Sequence, residues 1–197
     1  MKYFKIRELI PCVDGHCRDR RCGYGESTLV EVPTEVIKNA IALVEEVLDP
    51  LRAQYGKPIK VNSGYRCPLK NKAVGGVAHS QHLLGEAADI RCHTDSTDNT
   101  DELLRLAQII VQNGRFDQMI LYPTFIHVSY KRTGINRHRI LKKVNGSRQY
   151  TPVLIADLIR NPDSEPRASI FRGILKWTFW IIIAVTVLLI VIRILRH

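Results

Sequence analysis

The sequence predicts an α+β domain, in which helices flank a small antiparallel sheet, followed by a C-terminal transmembrane helix. Three observations support this prediction. Helical and strand patterns alternate along the first 130 residues, two of the patterns repeat every three to four residues, and 174–195 is almost entirely apolar. A chain of 197 residues is long enough for one core of ordinary size. We therefore expect a domain over 1–144, a tether over 145–173 and a membrane span over 174–195.

Two stretches have the apolar spacing of helices. Residues 32–56 carry apolar side chains at three- and four-residue steps, with Pro33 suited to the first turn and Gly56 to the end. Pro50 is expected to kink or divide this helix near Asp49. Residues 101–113 form the second predicted helix, which begins with acidic residues and ends before a glycine.

Four shorter stretches are predicted to be strands: 58–62, 86–92, 116–122 and 125–130. The last two are separated by Pro123 and Thr124 alone, so we expect a tight antiparallel hairpin. Between the first two strands, 63–80 is predicted to be a long loop that contains several glycines. A loop of this length in a compact domain usually carries function.

The C-terminal apolar stretch is long enough to cross a bilayer. Its 22 residues, 174–195, span about 33 Å as a helix, and Lys176 and Arg193 are its only charged members. Basic residues lie on both sides of it, so the positive-inside rule leaves its orientation open. Residues 1–10 lack the apolar core of a signal peptide, and we expect a single-pass protein, bound to membrane lipid through its C-terminus, that inserts after synthesis.

The chain is strongly basic, with 29 Lys and Arg against 19 Asp and Glu and a net charge of +10. Much of the excess lies in 131–148. Such a segment is consistent with a solvated surface or with a patch that faces anionic lipid or polymer. It has no recognised module with interleaved aromatic residues, so no nucleic-acid partner is expected.

Histidine and carboxylate side chains within and after 61–92 predict a metal site. His82 and Asp89 are seven residues apart with Gly85 between them, so a turn can bring the histidine back beside the strand that carries the aspartate. His127 lies in the predicted strand 125–130, on the face opposite Ile126 and Val128. Two histidines and one carboxylate leave the fourth tetrahedral position open, which is typical of catalytic zinc.

Four motifs carry a family resemblance. They are SGYR at 63–66, N-x-x-x-G-G from Asn71 to Gly76, S-x-H-x-x-G-x-A-x-D at 80–89, and I-H-V at 126–128. Together they resemble the zinc D-alanyl-D-alanine carboxypeptidase family over about 2–143, and most closely its compact phage and prophage forms.

The resemblance implies a hedgehog/D-Ala-D-Ala peptidase-like fold and a zinc peptidase that cuts bonds next to D-amino acids in peptidoglycan stem peptides. It also implies that zinc is held by His82, Asp89 and His127. Arg66 would then pair with a substrate carboxylate or the developing oxyanion, a role that suits the guanidinium fork. Tyr65 and Ser80 would contact substrate.

One position departs from the family pattern. Related enzymes carry an acidic general base shortly before the last histidine, where this chain has Thr124. Asp117 and Tyr122 are the candidate replacements, although strand alternation lets only one of them face the metal. Tyr122 suits a proton donor better than a base at neutral pH. A second hypothesis follows: a catalytically inactive protein that binds peptidoglycan or regulates lysis.

The five cysteines cannot all pair within one chain, because their number is odd. Cys12, Cys17 and Cys22 lie close together in sequence with His16, which allows either a disulfide or a second metal site. Cys67 and Cys92 flank the metal motif and could pair in an oxidising compartment. His79 and His93 are expected to be loop residues, not ligands.

Overall fold

The computed structural model describes residues 1–13, 31–92, 100–147 and 149–159, which form six helices, six strands and two short non-α turns. The helices are α1 (Ile6–Leu9), α2 (Thr34–Leu43), α3 (Asp49–Tyr55), α4 (Pro68–Ala73), α5 (Thr100–Asn113) and α6 (Ile155–Ile159). The strands are β1 (Ile59–Ser63), β2 (Ala87–Cys92), β3 (Gln118–Leu121), β4 (Ile126–Ser129), β5 (Arg139–Lys143) and β6 (Tyr150–Pro152). A π-helical turn covers Val44–Leu48, and a 3₁₀ turn covers Gln81–Leu84.

The predicted helix 32–56 is confirmed as one continuous helical segment, made of α2, the π turn and α3. The N–H of Asp49 donates to the carbonyl of Val44, which is the wider spacing of a π turn. Pro50, which was expected to kink or divide the helix, closely follows this π turn, and the helical segment continues past it into α3. Gly56 ends the segment with a φ of 77°.

The sheet is mixed, and the prediction of an antiparallel sheet is wrong at one pair of strands. The strand order is β1-β2-β4-β3-β5-β6. The predicted β3–β4 hairpin is antiparallel as expected, but β3 and β5 are parallel. After β4, residues 130–138 cross past the first residue of β3. Strand β5 therefore lies on the side of β3 opposite β4 and runs in the same direction as β3.

Five elements were not predicted from the sequence: α1, α4, α6, β5 and β6. Helix α4 lies inside the predicted loop 63–80, where Pro68 begins it and the Cys67 sulfur accepts the N–H of Lys70. Strands β5 and β6 lie after residue 138. The compact unit runs over Met1–Ile159, so β6 and α6 belong to it although they fall within 145–173.

One face of the sheet packs into a single core with the helices. Ile90, Met119, Ile126 and Val128 are fully buried on that face and cluster with side chains of α2, α3 and α5. Because side chains alternate along a strand, Asp89 and His127 lie on the opposite face. Helices α2, α3 and α5 therefore cover one face, and the candidate site lies on the other.

The predicted membrane span 174–195 lies outside the described residues, as do His16, Cys17, Cys22 and His93. Within the described ranges, no helix has both the length and the apolar character needed to cross a membrane. Cys67 and Cys92 are buried thiols that no disulfide joins, so the pairing considered above is not formed.

Candidate metal centre

Three predicted ligands meet on the face of the sheet opposite α2, α3 and α5. Asp89 on β2 is directly opposite His127 on β4, so the two side chains project to the same side. The 3₁₀ turn brings His82 to them. The Oδ1 of Asp89 lies 3.2 Å from Nε2 of His82 and 2.9 Å from Nδ1 of His127, and the two nitrogens are 3.1 Å apart.

The backbone of Gly64 orients His82. Nδ1 of His82 donates to the Gly64 carbonyl at 2.7 Å, which leaves Nε2 unprotonated and directed at Asp89 and His127. Gly64 itself is pressed against α1, since a Cβ at this position would lie 2.2 Å from the carbonyl oxygen of Leu9. Glycine is therefore required here by close packing of two backbones.

Charges in the cluster suit metal binding. Burial raises the pKa of Asp89, but the hydrogen bond from His127 and the other contacts with the two histidines outweigh it and hold that pKa well below its usual range. Burial lowers the pKa of His82 despite its contact with Asp89. At neutral pH the carboxylate is thus ionised and His82 is neutral, which are the states that a metal ion requires.

Arg66 supports the carboxylate from its other side. Its Nη2 donates to Oδ2 of Asp89, and its Nε donates to the Ser63 hydroxyl at 2.9 Å. Oδ1 of Asp89 is thereby left to the two histidines. Such outer contacts orient a ligating carboxylate.

The donor set fits zinc. Two imidazole nitrogens and one carboxylate oxygen, all within 4.8 Å of one another, match the protein ligands of catalytic zinc sites, in which a further position stays open. Zinc bound there acidifies water and polarises a carbonyl group.

The cluster opens into a cavity of about 620 Å³. Arg66, Ser80 and Tyr122 line it. The rings of Tyr122 and Phe125 stack at 4.3 Å, and the hydroxyl of Tyr122 lies 3.2 Å from that of Tyr150. Burial raises the pKa of Tyr122, so this phenol is protonated at neutral pH. A protonated phenol can donate a proton, but it cannot take one from water as a general base.

The comparison with protein families decides the assignment. The model of the Peptidase M15 family matches residues 18–129, which is more than half of the chain and includes all three ligands. The chain belongs to the peptidase M15 family. This family is of the zinc D-Ala-D-Ala carboxypeptidase type, so the predicted resemblance is confirmed. No curated protein matches the chain.

Membership of the M15 family supports a metallopeptidase, and members are typically zinc-dependent. The predicted ligands His82, Asp89 and His127 are brought together in a form that suits this chemistry. Ser80 lines the cavity and caps the 3₁₀ turn, since its hydroxyl accepts the N–H of His82 at 3.4 Å. Like Arg66, it lines the cavity beside the three predicted ligands.

Two predicted M15 site residues lie elsewhere. Tyr65 is part of the hydrophobic core and does not line the cavity, because its backbone is tied to α1 through the Leu9 carbonyl. Asp117 is fully buried and paired with Arg137. Neither side chain is placed to contact substrate. Thr124 is exposed and outside the cavity lining.

Several cavity residues were missed by the sequence reasoning. Glu86, Lys131, Arg137 and Tyr150 line the cavity, and so does His79, which was expected to be only a loop residue. Glu86 stands inside the zinc motif at a position that the motif leaves unspecified. Lys131, Arg137 and Tyr150 depend on how 130–138 and β6 return to the sheet, for which no local pattern gave a signal.

Proposed function

We propose that this protein is a zinc peptidase that cleaves peptide bonds adjacent to D-amino acids in bacterial peptidoglycan stem peptides. One observation carries the proposal: an ordered trio of His82, Asp89 and His127 opens into a large cavity, in a chain of the M15 family. The motif spacing over 80–89 supports the D-amino-acid specificity through the family resemblance.

The surrounding residues support defined roles. Arg66 uses two N–H groups on Asp89 and Ser63, and a guanidinium carries five, so it keeps donors for a substrate carboxylate. Tyr122 is protonated at neutral pH and lines the cavity, which suits delivery of a proton to the leaving amine. The stack of Tyr122 and Phe125 offers an apolar wall to the substrate backbone.

We further propose that 174–195 anchors the domain to a membrane. The length and composition of that stretch support the anchor, and its flanking basic residues do not favour either orientation. A peptidase held in this way would act on wall peptides close to the lipid surface. Protease accessibility of the domain in spheroplasts, before and after permeabilisation, tests which side it occupies.

A non-catalytic peptidoglycan-binding or lysis-regulating protein is the second candidate. The observation that favours it is the absence of an acid at Thr124, together with the burial of Asp117 in an ion pair. Thr124 has no carboxylate, and the carboxylate of Asp117 is buried against Arg137, so neither side chain can act as the general base. This candidate keeps metal and peptide binding but predicts no hydrolysis.

Digestion of purified peptidoglycan separates the two candidates. The full-length chain, in detergent and loaded with zinc, is incubated with peptidoglycan, and released peptides are identified by mass spectrometry. Fragments that disappear with a chelator and in His82→Ala, and return when zinc is restored to the wild type, support the peptidase and identify the bond. A folded chain that retains zinc and binds peptidoglycan without releasing fragments contradicts it.

A further inference from the structure

The cavity has a second polar region that none of the roles above uses. We call Glu86, Lys131 and Arg137 the charged end of the cavity; all three line it together with the metal ligands. Glu86 directly precedes β2 and extends its ladder, since its carbonyl accepts the N–H of Tyr130. It precedes Asp89 by three residues and lies outside the regular alternation of β2, which begins at Ala87.

A buried carboxylate fixes the two cations of the charged end. Asp117, which is 0% exposed, accepts hydrogen bonds from the backbone N–H of Arg137 at 3.0 Å and from its Nε at 2.9 Å. The Nζ of Lys131 lies 3.7 Å from the same carboxylate. Asn136 closes the intervening turn through two hydrogen bonds with the Lys131 backbone. Lys131 and Arg137 are therefore positioned before any ligand arrives.

Glu86 has no comparable partner. Its Oε2 accepts a hydrogen bond from Nε2 of Gln81 at 3.3 Å, and that nitrogen also donates to Asp117 at 3.1 Å. Among the described residues, no cationic group lies within 4.0 Å of the Glu86 carboxylate. Burial raises its pKa, and the hydrogen bond from Gln81 and the charges of Lys131 and Arg137 offset this only in part. A ligand ammonium group would supply the missing charge.

We propose that the charged end is a specificity subsite for a substrate residue whose side chain terminates in both an amine and a carboxylate. Glu86 would bind the amine, and Lys131 with Arg137 would bind the carboxylate. This inference rests on the proposed peptidase function and names the substrate class of the same site.

Three peptides that differ at one side chain test the subsite. That residue is diaminopimelate, lysine or norleucine, which offers an amine with a carboxylate, an amine alone, or neither. Each peptide carries a reduced amide at the scissile bond, so it binds without being cut. Dissociation constants are measured by calorimetry with the full-length, zinc-loaded chain in detergent. Wild type should prefer diaminopimelate over norleucine by about 10- to 100-fold, the range expected for charge-assisted hydrogen bonds.

Two conservative variants separate the contribution of the substrate amine from that of the substrate carboxylate. Glu86→Gln should reduce the preference for both amine-bearing peptides by about tenfold, whereas Lys131→Gln should weaken only the diaminopimelate peptide. Asp101→Asn and Lys60→Gln make the same charge changes outside the cavity and serve as controls. Equal affinity of the wild type for all three peptides would overturn the subsite. So would variants that retain its preference.

Hydrolysis of the normal peptides is measured in parallel, so that the two proposals fail separately. If the binding preferences follow the expected pattern but no peptide is cut, the subsite is supported and the peptidase function is contradicted. If peptides are cut at equal rates whatever the side chain, and bind equally, the peptidase function is supported and the subsite is overturned.

Discussion

At the residue scale, Asp89 is a shared carboxylate: one oxygen faces His82 and His127, while the other is held by Arg66. Arg66→Ala should therefore weaken zinc binding as well as substrate binding. We expect zinc affinity to fall by about 10- to 100-fold, the usual cost of losing a contact that orients a metal ligand. Titration against a competing chelator measures it. Lys60→Ala, which removes an exposed cation from β1, should leave the affinity unchanged, and an unchanged affinity in Arg66→Ala would refute the positioning role.

Asp117 gives the fold a pH-dependent contribution. Burial raises its pKa, but the hydrogen bonds and charge of Arg137 more than compensate, so its pKa in the folded chain lies below the ordinary value. The ionised form is then favoured by folding, and the stabilisation is complete above about pH 4 and lost as the pH falls through the folded-state pKa.

Asp117→Asn tests this contribution. At pH 7 the variant should lose about 1.5–3 kcal/mol of unfolding free energy, which is typical of hydrogen bonds to a charged group. Thermal unfolding of variant and wild type from pH 7 to pH 3 should show the gap closing below about pH 4. Asp101→Asn, in an exposed position, is the control. A gap that stays constant with pH would show that Asp117 acts by packing alone.

The grouping of His82, Asp89 and His127 could be predicted because these residues lie within short motifs. His82 and Asp89 share one motif, and His127 stands in a strand with a clear alternating pattern. Asp117 and Tyr65 could not be placed in the same way, since each looked like a site residue by its neighbours in sequence. Their actual positions depend on Arg137 and on α1, which are remote contacts that no local spacing encodes.

At the scale of elements, the contribution of α6 to the stability of the core can be tested. Leu158 is buried in the core, and its carbonyl accepts a hydrogen bond from Gln108 of α5 at 2.9 Å. Leu158→Ala should lower the unfolding free energy by about 2–4 kcal/mol, as for other core leucines. Ile159→Ala, next to it and 48% exposed, should have little effect. Denaturant unfolding measures both, and equal stabilities would mean that 145–159 contributes nothing to the core.

Elements with strong periodicity were predicted well, and those defined by pairing were not. The two long helices and the first four strands follow their apolar spacing. Strand β5 carries three basic residues in five, so its sequence resembles a solvated surface although Ile140 and Leu141 are buried. Its parallel pairing with β3 is determined by the path of the connection 130–138, and the hydropathy pattern of the sequence does not indicate that path.

For the whole molecule, zinc should act as a cross-link between the 3₁₀ turn, β2 and β4. A metal that binds only the folded chain adds about 2.7 kcal/mol of stability when its free concentration is 100 times its Kd. For a chain of this size, that corresponds to a rise in Tm of about 5–10 °C. Calorimetric melting with and without zinc measures the shift. His127→Ala should abolish it, and a shift that persists in this variant would place the metal elsewhere.

The parallel β3–β5 pairing has a consequence for how such a protein can diversify. It requires 130–138 to cross beside the cavity, where Asp117 holds it, while the three metal ligands lie on other elements. Mutations in this crossing can alter the shape and charge of the cavity wall without displacing the reacting centre. Relatives that differ in substrate preference are thus expected to differ first in this short stretch.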